Sequence, residues 1–228
     1  MSETWFLLQS GNGPAAANMA WDEALLDAVA KRQHPILRFY GWTEPAATFG
    51  YFQKFSEMER MTTLRPLIRR TTGGGLVPHD EDWTYTLVFP PIHRWHALAA
   101  VESYERVHAW VQAAFGRLGA LTILAASAQK KAPGQCFIGA EKFDVLAAGK
   151  KIAGAAQRRN RRGLLIQGSV QPPAKSLVRA DWEKAMCDCA TNEWRVAWQP
   201  LTLDDSITRA VSKLTEEKYS QQTYNEKR

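Results

Sequence analysis

Three consecutive glycines constrain this chain more than any other stretch. They sit in Arg69-Arg70-Thr71-Thr72-Gly73-Gly74-Gly75-Leu76-Val77-Pro78-His79-Asp80. Glycine has no side chain to pack and costs backbone entropy on ordering, so a run of three belongs where a backbone turns sharply or lets something approach its N–H groups. Pro66-Leu67-Ile68 ahead of the run and the alternating, β-rich Trp83-Thr84-Tyr85-Thr86-Leu87-Val88-Phe89 behind it read as strands. With two arginines supplying fixed positive charge, an anionic or carbonyl-bearing ligand on the loop is the functional reading, and a glycine-rich hairpin is the plain one.

The 228 residues allow one large domain or two small ones, and 45% hydrophobic with 23% charged content is that of a globular chain. No apolar run approaches the ~20 residues that cross a bilayer, and Met1-Ser2-Glu3-Thr4-Trp5 lacks the pattern of a signal peptide. Cys136, Cys187 and Cys189 leave one thiol over in any pairing, and no His/Cys cluster has zinc spacing. These features point to a cytoplasmic protein without a bound metal. The net charge of +6 suits acidic partners, with Arg158-Arg159-Asn160-Arg161-Arg162 the densest cluster; a solvated hairpin tip explains such a cluster equally well.

In chain order, Trp5–Leu8 reads as a short strand and Ala15–Lys31 as a helix with an apolar stripe from which Asp22, Glu23 and Asp27 fall away. Ile36–Tyr40 and Ala46–Tyr51 read as a strand pair around Gly41–Pro45, and Ser56–Thr63 as a short helix. Leu98–Leu118 is the clearest helix, closed by Gly119, with His108 beside its stripe in a structural or solvent-facing role. Leu121–Leu124 is a strand. Phe143–Leu146, Lys151–Gln157 and Gly163–Val170 suggest an antiparallel meander, followed by helices near 181–189 and 204–219 and a fraying tail from Ser220. The pattern predicts an α+β fold in a single domain spanning 1–228, with a core of about 5–170 and a helical part at 175–220.

Lys151, in Gly149-Lys150-Lys151-Ile152-Ala153-Gly154, enters a strand between glycines. There it is either a point charge for a phosphate or carbonyl, or an exposed hairpin lysine. Strand alternation places Lys151 with Ala153, and Ile152 with Gly154. Cys136, among cations, is a candidate nucleophile or a buried filler, whereas Cys187 and Cys189 look structural. His79 orients a carbonyl or caps the turn. No P-loop, nucleophile elbow or zincin spacing is present.

Three separated pieces agree in order and spacing with one family. The Arg-Arg-Thr-Thr-Gly-Gly-Gly-x-x-x-His-Asp loop is similar to the corresponding loop of lipoate–protein ligase A. Gly149-x-Lys151-Ile152-x-Gly154-x-Ala156 resembles that family's lysine strand, and Asn18-Met19-Ala20-Trp21-Asp22-Glu23 resembles its N-terminal motif. The resemblance covers about Trp5–Val170 and points to the biotin/lipoate ligase and octanoyltransferase group, whose catalytic domain is an α+β sandwich. It implies that Arg70, Gly73, Gly74, Gly75, Leu76, Val77, His79, Gly154 and Ala156 line an acyl pocket. Lys151 would contact the acyl carbonyl and, in a ligase, the phosphate of an acyl-adenylate, with backbone N–H groups and cations stabilising developing negative charge.

Gly50-Tyr51-Phe52-Gln53, Cys136-Phe137 and Gly154-Ala155-Ala156-Gln157 look like the cysteine-dependent octanoyltransferases, in which the cysteine accepts the acyl group. This implies octanoyl transfer from acyl carrier protein, through Cys136, to a lysine of lipoyl domains of 2-oxoacid dehydrogenases or glycine cleavage H protein, with no cofactor. The alternative is an ATP- and Mg2+-dependent ligase acting through lipoyl-AMP. A basic nucleic-acid-binding module is more distant, since no such motif accompanies the charge. The chain is also shorter than one carrying a ligase's accessory domain. Arg158, Arg159, Arg161 and Arg162 would steer acidic protein partners. Gln167, where many relatives have histidine, Phe143 before Asp144 and Pro78 before His79 depart from the family pattern.

Overall fold

The structure is a computed structural model that describes residues 2–129 and 139–228. Its strands are β1 (Glu3–Gly13), β2 (Ile36–Trp42), β3 (Ala46–Phe49), β4 (Leu67–Arg69), β5 (Val77–His79), β6 (Trp83–Phe89), β7 (Ile123–Leu124), β8 (Val145–Ala147), β9 (Lys150–Asn160), β10 (Gly163–Val170) and β11 (Val196–Pro200). Its helices are α1 (Ala15–Arg32), α2 (Phe55–Met61), α3 (Arg94–Ala97), α4 (Ala100–Arg117), α5 (Arg179–Trp194), α6 (Asp205–Leu214), which runs into a π-helical turn over Thr215–Tyr219, and α7 (Gln222–Asn225). The fold is α+β, as the sequence pattern predicts.

An eight-stranded mixed sheet in the order β11-β1-β2-β6-β10-β9-β8-β7 forms the body, and a second sheet, β4-β3-β5, stands beside it. Alternation decides what each face of the large sheet meets. Leu37 and Phe39 of β2, Tyr85, Leu87 and Phe89 of β6, and Leu164 and Ile166 of β10 pack against Trp110 and Phe115 of α4 and Trp182 and Met186 of α5. From the opposite face, Ile36, Val88 and Leu165 meet Leu25, Leu26 and Val29 of α1. Strands covered on both sides are apolar throughout, which is why Trp83–Phe89 is buried along its whole length.

Several expectations need correcting. Ile36–Tyr40 and Ala46–Tyr51 are not a pair: β2 hydrogen-bonds β1 and β6, whereas β3 lies between β4 and β5 in the other sheet. The first strand runs on to Gly13, with a register shift between Gln9 and Asn12, because β2 and β11 both pair with it in parallel. Asp22 does not leave the buried surface of α1. It is fully buried and receives the Arg38 guanidinium at 2.7 Å, because α1 lies between the sheet and the C-terminal helices and so has little solvent-facing surface. His108 is fully buried, in keeping with the structural one of its two expected roles.

The tail from Ser220 does not fray: Asn225 is buried, its side chain accepts from Arg69 N at 2.9 Å, and its carbonyl accepts from the Arg69 guanidinium. β5 and β11 had no periodicity to announce them, and β11 places a strand within the expected helical part. The meander β8-β9-β10 is antiparallel as expected, but a register shift separates the Val145↔Ala153 and Leu146↔Lys151 pairs. That extra residue breaks the alternation and puts the Lys151 ammonium over Gly154 instead of alongside Ala153. Among the described residues, no helix is long and apolar enough to cross a membrane.

Candidate active site

A narrow cavity opens on the α1 side of the large sheet. Its wall comes from four parts of the fold: Met19 and Tyr40 at the base, Thr48, Arg70, Val77 and His79 from the small sheet and loop, Thr84 and Gln167–Ser169 from the central strands, and Lys151 with Gly154–Ala156 from β9. Of the expected pocket residues, Arg70, Val77, His79, Lys151, Gly154 and Ala156 meet here. Gly73, Gly74 and Gly75 lie outside the wall, and Leu76 packs instead with Phe49, Met58 and Leu67.

The two arginines before the glycines shape the loop. Arg69, fully buried, donates to the carbonyls of Tyr51 and Gln53 at 2.8 and 2.7 Å. Arg70 donates to the carbonyls of Gly73 and Gly75 at 2.6 and 2.7 Å, closing the turn on itself. Gly74 adopts φ +86°, a region that disfavours other residues. Its carbonyl lies where a Cβ on Gly50 would sit, 2.0 Å away, so the loop is seated directly on the end of β3.

Lys151 and Arg70 are both buried cations at the cavity wall. The Lys151 ammonium lies 2.7 Å from Asp144 Oδ2, and the two side chains are 6% and 0% exposed. Asp144 also accepts from Tyr104 Oη at 2.5 Å and from the Glu141 N–H at 2.6 Å, so the carboxylate holding the lysine is itself held from three directions. Burial first, and then the Asp144 charge, push the Tyr104 pKa far up, which keeps that hydroxyl a donor. The same two causes raise Tyr85, whose ring blocks the space above Gly168.

On the opposite wall a chain of polar groups crosses from small sheet to large. Thr48 Oγ1 lies 2.8 Å from His79 Nε2, His79 Nδ1 lies 2.8 Å from Asp82 Oδ2, and Ser169 Oγ donates to the same oxygen at 2.6 Å. Trp42 stacks on the His79 ring at 3.8 Å. Below it, Gln167 accepts from Thr72 Oγ1 and donates to Asp22 Oδ2, each at 2.6 Å, tying the glycine loop to α1. Sequence reasoning singled out neither Thr48, Asp82 nor Tyr104. Gln167 stood out only as a departure from the family pattern.

The arginine cluster does not stay together. Arg158 faces the loop and donates to Thr71 Oγ1, Arg159 turns to the carbonyls of Trp95 and His96, and Arg162 pairs with Asp27. Arg161 is exposed at the turn. Cys136 lies outside the described residues. Cys187 and Cys189 are free thiols, and burial pushes Cys187 up to about 12, as befits packing residues. Among the described residues, no three His, Cys, Asp or Glu side chains are grouped to hold a metal ion.

The lipoyl protein ligase A/B catalytic domain family matches residues 14–171, more than half of the chain and every wall of this cavity. The chain belongs to that family. Among curated relatives of the lipoyl ligase family, octanoyltransferase LipM of Anoxybacillus flavithermus is 33% identical over 181 residues, 74% of this chain and 65% of the relative. LipM of Staphylococcus aureus is 33% identical over 183 residues, 75% of this chain and 66% of the relative. The chain thus spans just under two thirds of the length of these relatives. A putative lipoate protein ligase from T. acidophilum has the same fold, with a TM-score of 0.81, 20% identity and full coverage of both chains. A lipoate-protein ligase A bound with ATP superposes with a TM-score of 0.78 at 20% identity, over 99% of each chain.

Proposed function

We propose that this protein transfers an octanoyl group from a carrier-bound thioester to a lysine of a lipoyl domain, through Cys136. The observation that carries the reading is the buried Lys151 ammonium over Gly154, at the wall of a cavity whose other surfaces include Met19, Val77, Ala155 and Ala156. Those residues present a mainly apolar surface to an acyl chain, and a carbonyl beside the ammonium meets a fixed positive charge. The similarity to relatives named octanoyltransferase supports the same reading.

In the first step the Cys136 thiolate attacks the thioester carbonyl. Lys151 stabilises the oxyanion as it forms, and the carrier thiolate leaves and takes up a proton. In the second step the neutral amine of the acceptor lysine attacks the acyl-enzyme. The Cys136 thiolate departs, and the proton lost by the amine returns to it or to solvent. Asp144 and Tyr104 hold the ammonium in place through both steps, so the charge is oriented before the reaction begins.

The second reading is ATP-dependent ligation, favoured by the likeness to an ATP-bound ligase. The described residues fit a magnesium nucleotide poorly. Asp144, the carboxylate at the cavity's lysine, is already engaged by three donors. No step is therefore assigned to ATP.

The test is intact-protein mass spectrometry of an apo lipoyl domain incubated with octanoyl–acyl carrier protein and no ATP. An octanoyl mass increment that disappears with Cys136→Ala is the expected result. Modification only when ATP and free lipoate are supplied, undiminished in Cys136→Ala, overturns the reading in favour of the ligase.

A further inference from the structure

A basic aromatic surface stands on the outer side of the glycine loop, built from three stretches far apart in the chain. Tyr51 N donates to the Thr72 carbonyl, which fixes Tyr51 and Phe52 against the loop. Around the Tyr51 ring lie Lys227 Nζ at 4.2 Å, the Arg228 guanidinium at 5.3 Å and the Arg158 guanidinium at 6.0 Å. Arg228 also lies 5.5 Å from the Phe52 ring, which is 74% exposed. The Tyr51 pKa is lowered, first by its hydrogen bond to Lys227, then by the charges of Lys227, Arg228 and Arg158. Among the described residues neither Lys227 nor Arg228 forms an ion pair with a carboxylate; the neighbouring Glu226 is hydrogen-bonded by Gln222.

We propose that Tyr51, Phe52, Arg158, Lys227 and Arg228 form the docking surface for the acyl donor, an acidic carrier protein that presents its thioester on a phosphodiester-linked arm. This rests on the transferase reading of the cavity. Charge complementarity selects an acidic partner, and the exposed Phe52 gives the contact an apolar centre within a charged rim. Distance favours the donor over the acceptor. From Gly154, beneath the Lys151 ammonium, to Arg158 is four residues of β9, about 13 Å at the usual rise of a strand. A long thioester arm crosses that interval from a body seated on the patch, and its phosphodiester adds negative charge on the way. A lysine side chain has only four methylenes to spend.

The test uses the Lys227→Glu/Arg228→Glu double variant, which leaves Arg158 and its bond to Thr71 in place. Binding of octanoyl–acyl carrier protein is measured by fluorescence anisotropy at low and high salt. Acylation of Cys136 is followed with that carrier and with a small octanoyl thioester that has no protein attached. Carrier affinity and carrier-dependent acylation should fall about tenfold or more at low salt, with the difference shrinking at high salt. Acylation by the small thioester and the thermal midpoint should stay as in wild type. Equal carrier binding by variant and wild type overturns the surface. So does a variant that acylates normally but loses transfer from the preformed acyl-enzyme to the lipoyl domain, since the patch would then serve the acceptor. Carrier binding that depends on the patch, with no acyl-enzyme formed even by wild type, keeps the surface and sinks the transferase reading instead.

Discussion

Replacing Asp144 by Asn removes the counter-charge of Lys151 while preserving side-chain volume. The pair is 2.7 Å apart, with side chains 0% and 6% exposed, so solvent does little to compensate the ammonium left behind. Breaking a buried pair by removing one partner costs about 3–5 kcal/mol. For a chain of 228 residues, with an unfolding entropy of about 2.1 cal/mol/K per residue, this lowers Tm by about 6–10 °C. Lys151→Met should cost less, because the remaining carboxylate keeps the Tyr104 hydroxyl and the Glu141 N–H. The double variant should then be more stable than the two single effects added together, by about 1.5 kcal/mol or more. The assay is a double-mutant cycle by urea unfolding, with scanning calorimetry for Tm. A coupling below about 0.5 kcal/mol would refute the claim that this pair is a buried, mutually dependent unit.

Three further outcomes follow from other parts of the site. Gly50→Ala sets a methyl 2.0 Å from the Gly74 carbonyl, so the loop must shift; a loss of about 1–3 kcal/mol in denaturation and a marked fall in acyl transfer are expected, and wild-type transfer would show that the loop is not seated there. Gln167→Ala takes one hydrogen bond from the Thr72 hydroxyl and one from the Asp22 carboxylate, leaving Arg70 on the first and Arg38 and Tyr40 on the second, and should cost about 1–3 kcal/mol, whereas Gln167→His, with one ring nitrogen donating and one accepting, should retain most stability and activity; equal loss in both variants would contradict this. Burial holds His108 at about 4 against an ordinary 6.5, so the unfolded chain binds a proton that the folded chain refuses. The resulting stability is whole above pH 6.5 and is lost as pH falls to 4, about 3 kcal/mol in all; His108→Gln should flatten that acid limb in denaturant midpoints, and an unchanged limb would rule His108 out as its source.

Much of the site was legible in the sequence because its chemistry resides in short contiguous motifs. The arginine-glycine loop, the lysine strand and the Asn-Met-Ala-Trp-Asp-Glu helix all reach the cavity, through Arg70, Lys151 and Met19. Their roles were less legible. Arg70 was expected to face a ligand, and it does border the cavity, but it also spends donors on the carbonyls of Gly73 and Gly75. Strand alternation misplaced Lys151, since one additional residue in β9 reverses its side and leaves no trace in composition. Thr48 and Asp82 sit in ordinary strand and turn sequence, and only the approach of the two sheets makes them partners of His79 and Ser169.

The sequence by itself determined the α+β class, the long helices α1 and α4, the meander of β8 to β10, and the family to which the chain belongs. Those are local matters of periodicity, glycine placement and motif spacing. Tertiary structure alone decided that β2 and β3 part into separate sheets, that β11 pairs in parallel with β1, and that Asp22 is buried under Arg38. It also split the Arg158–Arg162 cluster among Thr71, Trp95, His96 and Asp27, and brought Lys227 and Arg228 beside Arg158. Each of those outcomes joins residues distant in the chain. Pairing and burial between remote segments are settled by which surfaces satisfy one another in three dimensions, and no window along the sequence contains both partners.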